Sequence, residues 1–431
     1  MLLFSLKTNS AKAAFWLSLL KVGALPITVL LSIVVARALG PQDFGRYAFV
    51  LSLATVLAIP AGQGVVALIV RETAQAMQAG EFELMAGIRK RAHHFLAGFT
   101  ILVWSVGLAY SSFILDASSV VERQCIYTVL LLFPVLSLIA IQAGVLQGLH
   151  HALASQVGQI ALRPGLALLF VTLSLLLMPG ISLRGAFAIQ IVATLLALVA
   201  SFIMLRRLAP SQLIGASPRY EDRAWRSAVL PFALIAFTNT FTAEIGILVL
   251  GSYGDEVSAG ALRVAISGAQ LLSFPLFINN MILSPQAAQM FKSGQIQALA
   301  LRSRKFARLT FFVSILVGVP LIVFAAPILG FTFGQEYADL ATRPLQILAL
   351  GHLGNVAMGP VGMLLSMSGH EGSALKGQIV ALGVVVALAL ILAPFYGATG
   401  AAIAVAVGTL IGRCVLVRLC IKRLKFRPAV I

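Results

Sequence analysis

The stretch from Ala13 to Ala36, AAFWLSLLKVGALPITVLLSIVVA, contains one charged group, Lys21. As an α-helix rising about 1.5 Å per residue, it is long enough to cross a hydrocarbon core of roughly 30 Å. Lys7 and Lys12 precede it and Ala36-Arg37-Ala38 follows it, the outline of a secretory signal with a small-residue cleavage site. A signal's apolar region, however, is only about 7–15 residues long. The segment is therefore expected to be an uncleaved first membrane span.

Eleven further stretches of the same kind follow, at 47–70, 95–115, 125–146, 157–178, 185–205, 227–251, 261–283, 306–329, 344–367, 376–393 and 400–420. All must be helical, because lipid offers no partner to a free backbone N–H or C=O. The whole composition agrees: 431 residues, 60% hydrophobic and 10% charged, with a mean hydropathy of +0.99. That balance excludes a soluble enzyme, a disordered chain and a disulfide-stapled secreted domain. Cys125, Cys414 and Cys420 lie in or at the ends of apolar segments, an odd set without metal spacing, so neither a disulfide framework nor a zinc site is expected. The fold class is an all-α polytopic membrane protein of about twelve transmembrane helices, with no cofactor.

The net charge of +17 follows the same pattern. With the N-terminus in the cytoplasm, 22 of the 31 cations fall on cytoplasmic loops and tails: Lys7, Lys12, Arg71, Arg89, Lys90, Arg91, Arg206, Arg207, Arg219, Arg223, Arg226, Lys292, Arg302, Arg304, Lys305, Arg308, Lys376, Arg418, Lys422, Arg423, Lys425 and Arg427. Five, Arg37, Arg46, Arg123, Arg184 and Arg343, fall on the opposite side. This is the positive-inside bias, and it predicts cytoplasmic N- and C-termini in a cell inner membrane. Anionic headgroups account for the charge without nucleic acid.

The longest polar stretch, Arg206 to Arg226, holds Pro210, Gly215, Pro218 and Glu221-Asp222-Arg223. It predicts an N-terminal six-helix bundle over 1–210, a cytoplasmic linker over 211–226 and a C-terminal six-helix bundle over 227–431. The first span closes on Gly40-Pro41-Gln42-Asp43-Phe44-Gly45 and the seventh on Gly254-Asp255-Glu256-Val257-Ser258-Ala259-Gly260. These two Gly-bounded acidic turns echo one another, as repeated halves of transporters do.

Ionisable groups in hydrocarbon cost roughly 2.5–3.5 kcal/mol on insertion scales and usually face water or a partner. Lys21 lies near the middle of the first span, and Arg163 sits two turns into the fifth, before a helix-breaking Pro164-Gly165. Arg263 and Arg413 lie in the eighth and last spans, and Glu244, in the seventh near Asn239, is the one acid inside a span. Glu244 and Arg263 could neutralise each other, and Arg413 is expected to snorkel to headgroups. Four cations against one acid predict an electropositive interior suited to an anionic cargo such as a diphosphate. His93-His94 and His150-His151 are expected to be solvated at the interface rather than to share a metal. Trp16 and Trp225 are expected at the aromatic belt. Gly400, Ala401, Ala402, Ala404, Ala406 and Gly408 are expected to serve close helix packing. No nucleotide-binding loop, catalytic carboxylate pair or Ser/His/Asp set is evident, so no enzyme is expected.

The run Ala36-Arg37-Ala38-Leu39-Gly40-Pro41-Gln42-Asp43-Phe44-Gly45-Arg46-Tyr47 resembles the signature of polysaccharide-repeat flippases, the Wzx-type transporters of O-antigen and exopolysaccharide units. Arg71-Glu72, Leu146-Gln147-Gly148-Leu149 with Arg163-Pro164, Phe333-Gly334-Gln335-Glu336-Tyr337, Met367-Ser368-Gly369-His370-Glu371 and Pro394-Phe395-Tyr396-Gly397-Ala398-Thr399-Gly400-Ala401-Ala402 continue the similarity in order. The resemblance implies the multidrug/oligosaccharidyl-lipid/polysaccharide exporter fold, two six-helix bundles around a central cavity that opens alternately to either side. It implies a cargo of oligosaccharide on polyprenyl diphosphate, with membrane lipids, a polysaccharide polymerase and chain-length machinery as partners. Lys21, Arg37, Arg163 and Arg263 are then the candidate cationic contacts for the cargo, Arg37 and Arg163 from matching motifs, and Glu244 the candidate ion-coupling site. The alternative is a cation-coupled drug or organic-ion antiporter of the same fold, which would need acids in its cavity. A membrane glycan polymerase or ligase would need a substantial outer loop, and the longest expected here, Gly330 to Arg343, is short.

Overall fold

A computed structural model describes residues 2–116, 119–178 and 180–424. The side chains of Lys7, Lys12 and Arg226, and the whole of Lys425 and Arg427, lie outside the described residues. Among those described there is no strand. The helices are α1 (Leu2–Ala61), α2 (Val66–Ala79), α3 (Phe82–Phe113), α4 (Val120–Gly148), α5 (Ala152–Gln156), α6 (Arg163–Leu177), α7 (Leu183–Leu208) and α8 (Ser211–Ile214). They continue with α9 (Asp222–Ser252), α10 (Glu256–Lys292), α11 (Ile296–Val323), α12 (Ala325–Thr332), α13 (Gln335–Ala357), α14 (Val361–Met367) and α15 (Glu371–Leu424).

Eight of these helices, and the continuous run Ala152–Leu177 from α5 through α6, are long and apolar enough to cross a membrane, and α13 with α14, bent by 41° at their junction, makes a tenth candidate. Two of the ten exceed a single crossing. The 54 residues of α15 would stretch roughly 80 Å, more than twice the hydrocarbon core. Each breaks at a glycine: α1 at Gly40 (φ 73°, ψ 172°) and α15 at Gly397 (φ 53°, ψ −135°). These backbone angles suit glycine, which has no Cβ to collide with its own carbonyl. Split at those points, the ten segments become twelve, the number expected from the apolar runs. The expected outer loop 330–343 is mostly helical, reduced to a turn at Phe333-Gly334 between α12 and α13.

The chain divides into two compact units, the first made of the residues up to Ala38 and Val50–Thr240, the second of Leu39–Phe49 and Phe241–Ile431. In the first unit α4 packs against α2, α3 and α7, and 78% of its most apolar window is buried. Its sequence is apolar on every side, as a helix enclosed by others must be. The segment 211–226, expected as a linker, is docked on α3. The backbone N–H of Arg219 donates to the Glu83 carbonyl at 2.9 Å, and the Arg219 guanidinium reaches Glu81 at 2.9 Å. Arg91 pairs with Asp222 through Nε at 2.7 Å and lies over the Tyr220 ring. Gly87 permits this close seat: a Cβ there would fall 1.7 Å from the Arg219 carbonyl oxygen.

Trp225 corrects the expectation of a belt anchor. It is 3% exposed, and its indole N–H donates to Glu72 Oε2 at 3.2 Å. Glu72 also accepts from Arg71 at 2.7 and 3.0 Å, while the Arg71 guanidinium stands 5.5 Å from the Phe232 ring. A buried indole needs an acceptor, and a buried carboxylate needs donors, so each settles the other.

In the second unit α10, α13 and α15 pack together. The two arms of α15 close on each other through the small residues expected to do so. A Cβ on Gly408 would lie 2.3 Å from Val385 Cγ2, and one on Gly412 would lie 2.5 Å from Ala381 Cβ. Ala401, Ala402 and Ala404 are fully buried. Without a hydrophobic drive between helices in lipid, such backbone proximity supplies the attraction through dispersion.

Candidate functional site

The ionisable groups inside the spans fall on different elements. Lys21 is half-buried on α1, and Arg37 is exposed on the same helix, one turn before the Gly40 break. Sixteen residues of helix separate them by roughly 24 Å, so one diphosphate cannot touch both at once. Arg163 is half-buried as the first residue of α6, directly after a π-helical turn over Val157–Leu162. The expected local break at Pro164 is thus a widened turn: proline supplies no N–H and forces the preceding carbonyls to find other geometry. The turn rests closely on α7, since a Cβ on Gly158 would meet Ser201 Oγ at 2.2 Å.

Glu244 and Arg263 are brought together. Arg263 Nη2 donates to Glu244 Oε2 at 2.8 Å, with side-chain exposures of 22% for the arginine and 16% for the acid. The turn that sets them, Ser252 to Glu256, is held by Asp255, whose carboxylate accepts from the N–H of Ser258 at 3.0 Å. This is an N-cap, which satisfies a free donor of α10. Arg413 is half-buried in the second unit, with Nη1 3.6 Å from where a Cβ on Gly362 would stand.

Parts of three of the motifs that carried the family resemblance, at 41–46, 333–337 and 397, meet in the second unit. A Cβ on Gly45 would lie 1.7 Å from the Glu256 carbonyl oxygen, and one on Gly260 2.5 Å from the Pro41 carbonyl oxygen. Arg46 joins Asp43 at 3.0 Å and Glu256 at 3.4 Å. Phe44 meets the Tyr337 ring edge-on at 6.2 Å, and Tyr337 meets Phe333 at 6.1 Å. A Cβ on Gly397 would touch Ser258 Oγ at 2.6 Å. The two echoing turns are therefore in contact, and the Gly-bounded pattern at this end packs backbone on backbone, with ion pairs closing it.

One group of side chains went unrecognised in the sequence. In the first unit a cavity of about 580 Å³ is lined by Arg89, Lys90, His93 and His94 of α3, Gln142 of α4 and Arg206 of α7, among others. Its signal was present, since positions 89, 90, 93 and 94 are spaced i, i+3 and i+4 and so share a helix face. His93, outside the span expected at 95–115, makes a 2.7 Å hydrogen bond through Nδ1 to the Arg89 carbonyl. Among the described residues no group of three His, Cys, Asp or Glu could hold a metal.

The family model for polysaccharide biosynthesis proteins matches residues 10–291. No curated protein sequence matches the chain. Among solved structures, an inward-facing multidrug resistance MATE transporter of the MOP superfamily is 13% identical, with a TM-score of 0.74 over 95% of this chain and 98% of that one. The lipid II flippase MurJ, in an inward closed conformation, is 13% identical with a TM-score of 0.70 over 94% and 87%. A MOP superfamily transporter from Pyrococcus furiosus, described as having a binding pocket of reversed polarity, is 14% identical with a TM-score of 0.60 over 96% of each. At these identities the likeness establishes the fold.

Proposed function

The chain belongs to the family of polysaccharide biosynthesis proteins and has the fold of MOP superfamily transporters, and from that premise we propose that it is a flippase, without enzymatic activity, for oligosaccharide carried on polyprenyl diphosphate. It would move an O-antigen or exopolysaccharide repeat unit across the inner membrane by alternating access, with both termini cytoplasmic. The observation that carries this reading is the charge inside the spans. In the spans read from the sequence four cations stand against one acid, and that acid is engaged by Arg263 at 2.8 Å. Such an excess attracts phosphate and repels organic cations, which is the property that separates this reading from a drug antiporter.

The separation of Lys21 and Arg37 along α1 divides the task. Lys21 and Arg163, in the inner halves of their spans under this orientation, meet the diphosphate as it enters. Arg37, just past the outer end of its span, and Arg263, in the outer half of its own, meet it before release. Charge-assisted hydrogen bonds at each stage replace the headgroup's lost hydration. When the diphosphate competes for Arg263, Glu244 is freed to take up a proton or sodium ion, coupling transport to a gradient. Polysaccharide polymerase and chain-length machinery would then act on the delivered unit.

The test is glycan export in cells carrying Lys21→Gln with Arg163→Gln. Lipid-linked oligosaccharide should accumulate on the cytoplasmic leaflet while the variant stays in the membrane at normal abundance. Unimpaired export by that variant overturns the assignment of the inner contacts. Drug resistance on overexpression, with no effect on glycan, overturns the cargo.

A further inference from the structure

The cationic cavity of the first unit has chemistry of its own. Arg89, Lys90 and Arg206 carry permanent charge into its lining, and no acid lines it. Among the described residues none of the three forms an ion pair; Arg206 instead lies over the ring of Phe202 at 5.6 Å. Deeper, Gln142 is 6% exposed, and its Oε1 has no hydrogen-bond partner. A buried amide oxygen without a donor is uncommon and marks a place where a donor is missing. His93, with Nδ1 donating to the Arg89 carbonyl, leaves Nε2 as a second acceptor. The rest of the lining is largely aliphatic, including Leu205 and Leu213.

Three cations call for a phosphate, two acceptors call for hydroxyl groups beside it, and the aliphatic wall calls for a greasy continuation. We propose that this cavity binds the headgroup of a hydroxyl-bearing anionic phospholipid, of the phosphatidylglycerol type, from the leaflet on the positively charged side of the membrane. Basic pockets among helix ends on that side hold such headgroups through the same forces. None of Lys21, Arg37, Arg163 and Arg263 lines this cavity, so the proposal concerns a resident lipid rather than the transported one, and it stands whether or not the flippase reading does.

The test uses the purified full chain in phosphatidylcholine nanodiscs with a titrated second lipid, read by native mass spectrometry. One phosphatidylglycerol per chain should be retained, and phosphatidylmethanol, a phosphodiester of the same charge but without the glycerol hydroxyls, should bind about tenfold more weakly. Arg89→Gln with Lys90→Gln and Arg206→Gln should weaken retention on the order of a hundredfold. Should that triple variant fail to fold, Gln142→Leu decides: it should still hold both lipids but lose the preference between them. Equal retention of the two lipids by the native chain, an unchanged preference in Gln142→Leu, or undiminished binding by a folded triple variant would each overturn the proposal. Displacement by millimolar glycerol phosphate would also overturn it, by showing that a soluble phosphate ester is the ligand.

Discussion

Gly45 and Glu256 approach so closely that a methyl group on the glycine would stand 1.7 Å from the carbonyl oxygen of the glutamate. The contact binds the turn that closes the first span to the start of α10, and Gly260 against the Pro41 carbonyl repeats it in the opposite sense. Two short motifs distant in the chain thus seat their backbones against each other, which only residues lacking a side chain permit.

Gly45→Ala must move a backbone, and it should destabilise the protein by about 3 kcal/mol. The measurement is the thermal unfolding midpoint of the purified protein in detergent. Gly23→Ala is the control: nothing lies within 4 Å of its added Cβ, and a helical alanine there should be neutral or stabilising by about 0.5–1 kcal/mol. Equal behaviour of the two variants would contradict the close seat.

Trp225→Phe removes the indole donor from Glu72 while keeping most of the buried ring. The carboxylate then keeps Arg71 and loses the indole, and stability should fall by about 1–2 kcal/mol. Had Trp225 been a belt residue at the lipid interface, phenylalanine would have been nearly silent. Chemical denaturation in mixed micelles distinguishes the two.

The Arg263–Glu244 pair lends itself to a double-mutant cycle. Arg263→Gln and Glu244→Gln should each destabilise, and the pair should show a coupling of about 1–2 kcal/mol, more than an exposed ion pair gives. Glu244→Gln should also leave glycan export insensitive to collapse of the proton or sodium gradient. Additive single effects would deny that the 2.8 Å contact stabilises the fold.

Gly412→Ala should cost about 1–3 kcal/mol by forcing Ala381 Cβ away from the facing arm of α15. Adding Ala381→Gly removes the nearest clash and should recover part of the loss, the Gly377 carbonyl oxygen at 2.9 Å from the new Cβ accounting for the remainder. A second substitution that worsens the first would place the clash elsewhere.

Much of the architecture was legible because the bilayer imposes it residue by residue. Twelve apolar runs gave twelve crossing segments, and the small residues at 400–408 fell in a tight helix contact. Two features misled for one reason. Trp225 looks like a surface residue and the 206–226 stretch like an undocked linker because the sequence there is polar, aromatic and rich in breakers. Their partners, Glu72, Glu81, Glu83 and Arg91, lie more than a hundred residues away, and no local pattern announces them. The cavity at Arg89 was half visible, in its helical spacing, but Gln142 completes it from another helix.

What the sequence determined alone is the set of apolar helices long enough to cross a membrane and the positive excess among them, since each depends on a residue's own preference between water and lipid. The tertiary structure decided which charges meet. Glu244 found Arg263, and Gln142 was left facing three cations without a donor. Those outcomes depend on distances between helices, which are set by packing volume and by the glycines that let backbones touch.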